Sequence, residues 1–169
     1  EEMYYVRELT RLAEEEINAV RRELQRMVKR SMLKSEHRGN RVYYFFRKDY
    51  LFYQDLMNLV TKTSGLGGAI IKNQSKLGKI NFVCLSGRFV RHRPRHEDEV
   101  DLLIVGTVVL PELAALVRAE EAQREKEINY TVMTKEEFDF RKHRNDPFVL
   151  KILSGSKIML IGDEDQLVE

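Results

Sequence analysis

Four polar side chains recur at intervals of three or four residues early in the chain, at Asn18, Arg21, Arg22 and Gln25. The apolar residues of the same stretch recur at helical spacing, at Ile17, Val20, Leu24 and Met27. This pattern predicts a helix that buries its apolar side and turns the four polar residues outward. Arginine can donate paired hydrogen bonds to guanine, and asparagine or glutamine can pair with adenine, so such a face suits a DNA major groove.

A basic hairpin is predicted directly after this helix. Gly39-Asn40 separates two extended runs, which is typical of a hairpin turn, and Arg38 and Arg41 flank it. We expect Arg38, Asn40 and Arg41 to form a wing that contacts the DNA backbone or minor groove. Residues 16–48 contain ten Lys or Arg and three Glu, a net charge of +7, whereas the whole chain carries +2. Such a patch gives salt-sensitive affinity for phosphates.

These residues resemble the winged helix-turn-helix of ArsR-like bacterial and archaeal repressors, over Val6–Thr10, Ile17–Leu24 and Gly39–Tyr44. The resemblance implies binding to double-stranded DNA, usually as a homodimer. We expect the helix that normally precedes the two-helix unit to be missing from this sequence. The segment has no cysteine, so the metal-sensing motif of some members is absent.

A second set of chemical residues lies in the carboxy-terminal half. Phe82–Phe89 and Glu99–Gly106 resemble the minimal nucleotidyltransferase fold, in which a strand ends in a Gly-Ser turn and the next strand carries Asp-x-Asp. The resemblance implies that Ser86, Gly87 and Arg88 approach a nucleotide. It also implies that Glu99 and Asp101 hold Mg²⁺, since alternate positions of a strand place two carboxylates on one face. The third acid of the site aligns with Asn129.

The sequence departs from that pattern at most of its chemical positions. Ser86-Gly87 reverses the Gly-Ser turn, Glu99 replaces an aspartate, and the amide Asn129 is a weak ligand for Mg²⁺ and cannot act as a base. We therefore expect Glu99, Asp101 and Asn129 to be a vestigial catalytic set, and a non-catalytic domain is favoured over an active enzyme. We expect no cofactor to be required, with Mg²⁺ and a nucleotide binding only if the pocket is functional.

The elements that position these residues indicate an α+β fold in three parts. We expect a winged helix-turn-helix domain over 1–49, a helical linker over 50–79, and a nucleotidyltransferase-like domain with a mixed β-sheet flanked by helices over 80–169. Strands are predicted at Ile80–Leu85, Val100–Val105, Ile128–Met133 and Ile158–Ile161, with helices at Leu110–Lys126, Lys135–Arg141 and Pro147–Ser154. The whole arrangement is similar to prokaryotic regulators that join an ArsR-like domain to a nucleotidyltransferase domain.

Composition narrows the class of protein further. The apolar share of 43% fits a globular chain, and no stretch approaches the roughly 20 apolar residues of a membrane span. The single cysteine, Cys84, lies in an apolar run, so we expect a buried, inert thiol. We expect a cytoplasmic protein with no membrane partner.

Three functions stay open at this point. The favoured hypothesis is a DNA-binding transcriptional regulator whose carboxy-terminal domain senses a ligand or mediates dimerisation. The first alternative is an active Mg²⁺-dependent nucleotidyltransferase that modifies a protein or RNA, and the second is an antitoxin-like interaction module. The basic loop Arg88–His96 suits either a phosphate clamp or an exposed mobile loop.

Overall fold

The computed structural model describes residues 3–168 and shows an α+β chain of two compact units. The first unit ends at Leu56 and the second begins at Met57. The predicted linker 50–79 therefore falls on both sides of this division. Among the described residues, no helix combines the length and apolar character needed to cross a membrane.

The first unit combines two helices with a three-stranded antiparallel sheet. Its elements are β1 (Tyr4–Tyr5), α1 (Val6–Ala13), α2 (Ile17–Lys29), β2 (Leu33–Arg38) and β3 (Arg41–Phe46). The strand order is β1-β3-β2, so the two-residue strand β1 pairs with β3 and not with its neighbour in sequence. The two helices and the hairpin are confirmed, whereas β1 was not predicted.

Local chemistry explains where α2 begins and which side it buries. Glu16 precedes the helix, and its Oε2 accepts hydrogen bonds from the backbone N–H groups of Asn18 and Ala19, both at 2.9 Å. These bonds satisfy two of the donors that every helix leaves unpaired at its first turn. They also hold the pKa of Glu16 below its ordinary value. Leu24 is the buried residue of α2.

The β2–β3 hairpin closes through the predicted two-residue turn. Arg38 pairs with Arg41 across the strands, which leaves Gly39 and Asn40 at the tip. Gly39 has a φ of +59°, a left-handed conformation that costs glycine little because it has no Cβ. The turn residues therefore set the register that places both arginines beside the tip.

The second unit is built around a four-stranded mixed sheet. Its helices are α3 (Tyr53–Thr63, which crosses the division), α4 (Gly65–Lys72), α5 (Gln74–Leu77), α6 (Gly87–Val90), α7 (Leu110–Arg124), α8 (Lys135–His143), α9 (Pro147–Ser154) and α10 (Glu164–Val168). The strands are β4 (Gly78–Ser86), β5 (Leu102–Val108), β6 (Tyr130–Met133) and β7 (Lys157–Ile161). The order is β6-β5-β4-β7; β4 runs antiparallel to β5 and β7, and β5 runs parallel to β6.

The apolar run of β5 is buried on both faces of this sheet. Leu102 and Ile104 belong to one apolar cluster, with residues of α4 and α7, and Leu103 and Val105 belong to another, with residues of α8 and α9. A strand covered on both faces is continuously apolar rather than alternating. Three residues of the predicted linker also join the first cluster, namely Leu66, Ile70 and Leu77.

We predict that Glu16→Gln lowers the melting temperature of the first unit at about pH 7, because the amide keeps an acceptor but loses the charge that favours the first turn. The pKa of Glu16 is depressed in the folded chain, so its contribution is present above the ordinary value of 4.5 and is lost as the pH falls through the folded-state pKa. The difference between wild type and variant should therefore shrink in acid.

Tyrosine fluorescence would follow this melting, since six of the seven tyrosines lie in the first unit and the chain has no tryptophan. Glu15→Gln is the matched control, because it removes the same charge from an exposed neighbour that precedes the cap. An equal loss in both variants, or a difference that persists in acid, would contradict the capping role.

Candidate functional site

The predicted recognition residues lie on one exposed side of α2. Asn18, Arg21, Arg22 and Gln25 are all exposed, and their spacing of three and four residues makes them neighbours on the helix surface. Among residues 3–168, neither Arg21 nor Arg22 has a carboxylate oxygen within 4 Å. These two charges therefore face solvent and can meet a ligand without first breaking an ion pair.

The hairpin presents a second, partly neutralised set of polar groups. Arg38 forms an exposed ion pair with Glu36 at 3.0 Å, and this hydrogen bond raises the pKa of the guanidinium. The guanidinium of Arg41 lies 4.7 Å from the ring centre of Tyr5, a cation–π contact that ties the hairpin to β1. Asn40 is exposed at the tip. Arg41 and Asn40 are therefore better placed than Arg38 to contact a ligand, because neither is held by a carboxylate among the described residues.

A buried carboxylate lies immediately before β5 in the second unit. Asp101 Oδ2 accepts a hydrogen bond from Arg95 Nη1 at 2.6 Å and another from the backbone N–H of Asn129 at 3.0 Å. The Asp101 side chain is 7% exposed, and that of Arg95 is 25% exposed. A carboxylate this buried needs a paired charge and hydrogen bonds, and Arg95 and Asn129 supply both.

Glu99 lies beside this carboxylate and is also engaged. It pairs with Arg88 at 3.3 Å and accepts a hydrogen bond from the backbone N–H of His96. The side-chain amide of Asn129 donates to the backbone carbonyl of Glu99 at 3.0 Å. The structure therefore links the three residues predicted as a vestigial catalytic set, Glu99, Asp101 and Asn129, because Asn129 donates hydrogen bonds to the Asp101 side chain and to the backbone of Glu99.

Two strands, β5 and β6, begin two residues later than predicted, and this changes how the acids are positioned. Glu99 and Asp101 precede β5, and Asn129 precedes β6, so they lie in the turns that lead into these strands. Because the backbone there is irregular, alternation along a strand does not place both carboxylates on one face. Hydrogen bonds within the loop orient them instead.

The small-residue turn at the end of β4 is filled by neighbouring groups. Ser86 Oγ accepts from the backbone N–H of Phe89, and the N–H of Gly87 donates to the carbonyl of Ser156 at 2.6 Å. A Cβ at position 87 would lie 2.4 Å from Ser156 Oγ and 2.8 Å from Arg91 Nη1. Glycine is required here for the close approach of Ser156 and Arg91.

The predicted magnesium site does not fit a divalent cation in this arrangement. Each of the two carboxylates is ion-paired with an arginine, and the third position is an amide. Across residues 3–168, no group of three His, Cys, Asp or Glu side chains is arranged to hold a metal ion. Binding Mg²⁺ at Glu99 and Asp101 would require Arg88 and Arg95 to leave first, and a metal beside either guanidinium would be repelled.

A cavity of about 340 Å³ opens beside these carboxylates. Its charged lining residues are five bases and three acids, namely Arg88, Arg91, Arg93, Lys151 and Lys157, and Asp98, Glu99 and Asp101. Its apolar wall includes Cys84, Leu103, Phe148 and Ile152. The residues that α9 and β7 contribute, together with Ser156 between them, were not predicted, because no motif links them to the loop Arg88–His96.

Cys84 is buried in this wall, as the sequence predicted. Burial raises the pKa of the thiol to about 12, so the thiol stays protonated at neutral pH. Only the thiolate reacts readily with alkylating agents. The cysteine therefore reports whether the second unit is folded.

Comparison of the chain with protein-family models, with curated proteins and with solved structures finds no match. The likeness to ArsR-like and nucleotidyltransferase domains thus rests on the residues quoted above. Function has to be argued from the chemistry of the two sites rather than from the fold.

We predict that Asp101→Asn destabilises the second unit by about 2–3 kcal/mol, because it removes the charge that pairs with Arg95 in a largely buried place. Glu99→Gln is the matched control and should cost less than about 1 kcal/mol, since its partner Arg88 is 41% exposed.

Pulsed alkylation of Cys84 across a urea series measures the unfolding of this unit, since the chain has no other cysteine. A loss for Glu99→Gln as large as that for Asp101→Asn would contradict this account of the loop.

Proposed function

We propose that this protein is a DNA-binding transcriptional regulator that contacts the double helix through α2 and the β2–β3 hairpin. The observation that carries the proposal is the exposed face of α2. There, Arg21 and Arg22 lack carboxylate partners among the described residues and neighbour Asn18 and Gln25. A helix with this face fits the major groove, and these are the side-chain types that read guanine and adenine.

The charge distribution of the first unit supports the same proposal. Residues 16–48 carry a net charge of +7, against +2 for the whole chain. A surface of this kind releases counterions from DNA when it neutralises phosphates, so it gives affinity that falls steeply with salt. The basic patch would supply affinity for the DNA backbone, and the exposed face of α2 would supply sequence specificity.

The hairpin would add a second contact. Its tip carries Asn40, and Arg41 is held against the ring of Tyr5, so the arginine is partly preorganised for a phosphate. Arg38 would have to leave Glu36 to bind, and it should therefore contribute less than Arg41. In this proposal the protein acts in the cytoplasm as a homodimer, and its operator has two half-sites about one helical turn apart.

The second unit would serve as a sensor or a dimerisation module. Active nucleotidyl transfer has less support, because Glu99 and Asp101 are both held by arginines and the third position is an amide. Labelled nucleoside triphosphate with Mg²⁺ tests that alternative directly. Transfer that disappears in Asp101→Ala would favour the enzyme.

We predict that Arg21→Ala combined with Arg22→Ala weakens binding to a mixed-sequence duplex of about 30 base pairs at least tenfold near 50 mM salt. It should also reduce the slope of log affinity against log salt by about 1 to 2, because up to two phosphate contacts are lost. Fluorescence anisotropy of the labelled duplex, measured between about 50 and 200 mM salt, gives both quantities.

The matched control is Lys72→Ala combined with Arg118→Ala. It removes the same net charge from exposed positions of the second unit. This control should change the affinity by less than about twofold, since exposed charges outside the proposed contact surface act only through solvent and are screened by salt. Equal weakening by the two double variants would show that net charge alone drives binding, and the recognition role of α2 would be lost. A wild-type chain with no affinity for the duplex would favour the interaction-module alternative.

A further inference from the structure

The cavity of the second unit has more positive charge than its own acids neutralise. The ion pairs around it are Arg88 with Glu99, Arg95 with Asp101, Lys151 with Asp98, and Lys157 with Glu164. Among residues 3–168, the two remaining lining cations, Arg91 and Arg93, have no carboxylate within 4 Å. Two guanidinium charges are therefore left for a ligand.

Arg91 is held in place without being neutralised. Its Nη1 donates to the carbonyl of Gly87 at 3.4 Å and to Ser156 Oγ at 3.2 Å. A guanidinium has five N–H donors, so those not used in these two contacts can serve a ligand. The missing side chain at Gly87 is what allows this position, because a Cβ there would collide with Arg91 Nη1. Arg93 lies at the exposed rim of the cavity.

The cavity is also lined by apolar residues. Cys84 and Leu103 are buried, and Phe148 and Ile152 are half-buried. A volume of about 340 Å³ is at the lower end of the range for small-molecule sites. The cavity thus combines two cations that have no carboxylate partner among the described residues with room for one apolar or ring-shaped group of modest size.

We propose that this cavity binds a small organic phosphate without a divalent cation, with Arg91 and Arg93 contacting the phosphate. Guanidinium forks match phosphate oxygens in pairs, and two of them match the two negative charges of a phosphate monoester. The carboxylates that could have recruited a metal are already neutralised by arginines. The site lies within the second unit and does not depend on the DNA-binding proposal.

Isothermal titration of the full chain with AMP, adenosine and inorganic phosphate tests the proposal, each first with EDTA and then with excess Mg²⁺. AMP should bind equally well in both conditions, and inorganic phosphate should bind more weakly because it leaves the apolar wall unfilled. Adenosine lacks the charged group, so its affinity should be at least about tenfold lower than that of AMP.

Arg93→Gln and Arg91→Gln should each weaken AMP binding at least about fivefold, because each removes one of the two unpaired charges. Arg118→Gln, an exposed substitution on α7, is the matched control and should leave the affinity unchanged. Arg93 lies at the rim with little packing around it, so its variant keeps the test valid even if Arg91→Gln unfolds the unit.

Three results would overturn the proposal. The first is the absence of binding for both AMP and inorganic phosphate at millimolar concentration. The second is binding that appears only with Mg²⁺, which would restore the acids as metal ligands. The third is an affinity for AMP that does not change in Arg93→Gln, or an affinity for adenosine equal to that for AMP. Either result would assign binding to the apolar lining residues alone.

Discussion

The ion pair between Arg95 and Asp101 is the interaction on which the chemistry of the second unit depends. Its 2.6 Å contact joins two residues of the segment between α6 and β5, and Asn129 adds a hydrogen bond from the turn before β6. Because the carboxylate is nearly buried, its charge has to be balanced within the protein. Arg95 provides that balance, and Arg88 does the same for Glu99. Glu99 and Asp101, the two acids predicted to hold a metal, are thus paired with arginines within the protein. The charges of Arg91 and Arg93 have no carboxylate partner among the described residues.

The first unit also leaves two arginines without a carboxylate partner among the described residues. Leu24 of α2 lies in the interior of this unit, and the exposed side of the helix then carries Arg21 and Arg22 without acidic partners among the described residues. Glu16, which lies close to these arginines in sequence, is engaged by the first turn of the helix. Since that turn is where its carboxylate accepts hydrogen bonds, the acid caps α2 and leaves the arginines to solvent. Charges left unpaired in this manner are suited to phosphates.

Most elements could be predicted from the sequence, since helical spacing, the Gly39-Asn40 turn and apolar runs are local signals. The proximity of Glu99, Asp101 and Asn129 was also predictable, although the resemblance alone suggested it. The arginine partners of Glu99 and Asp101 were not predictable, because the pairing depends on how the loop Arg88–His96 folds back onto these acids. The strand β1 was missed since two residues give no periodic signal, and the burial of α4 and α5 residues was missed since amphipathic helices can serve as linkers or as core. The contributions of α9 and β7 to the cavity arise from sheet order, which local patterns do not encode.

Solution NMR of the full chain, titrated with a duplex of about 20 base pairs, is the most direct test of the central claim that α2 and the hairpin contact DNA. Backbone amide shifts should change at Asn18–Arg26 and around Gly39 as duplex is added. Amide shifts of α7, at Leu110–Arg124, should stay unchanged. Shift changes confined to the loop Arg88–His96, or none at all under low salt, would show that α2 and the hairpin do not contact DNA.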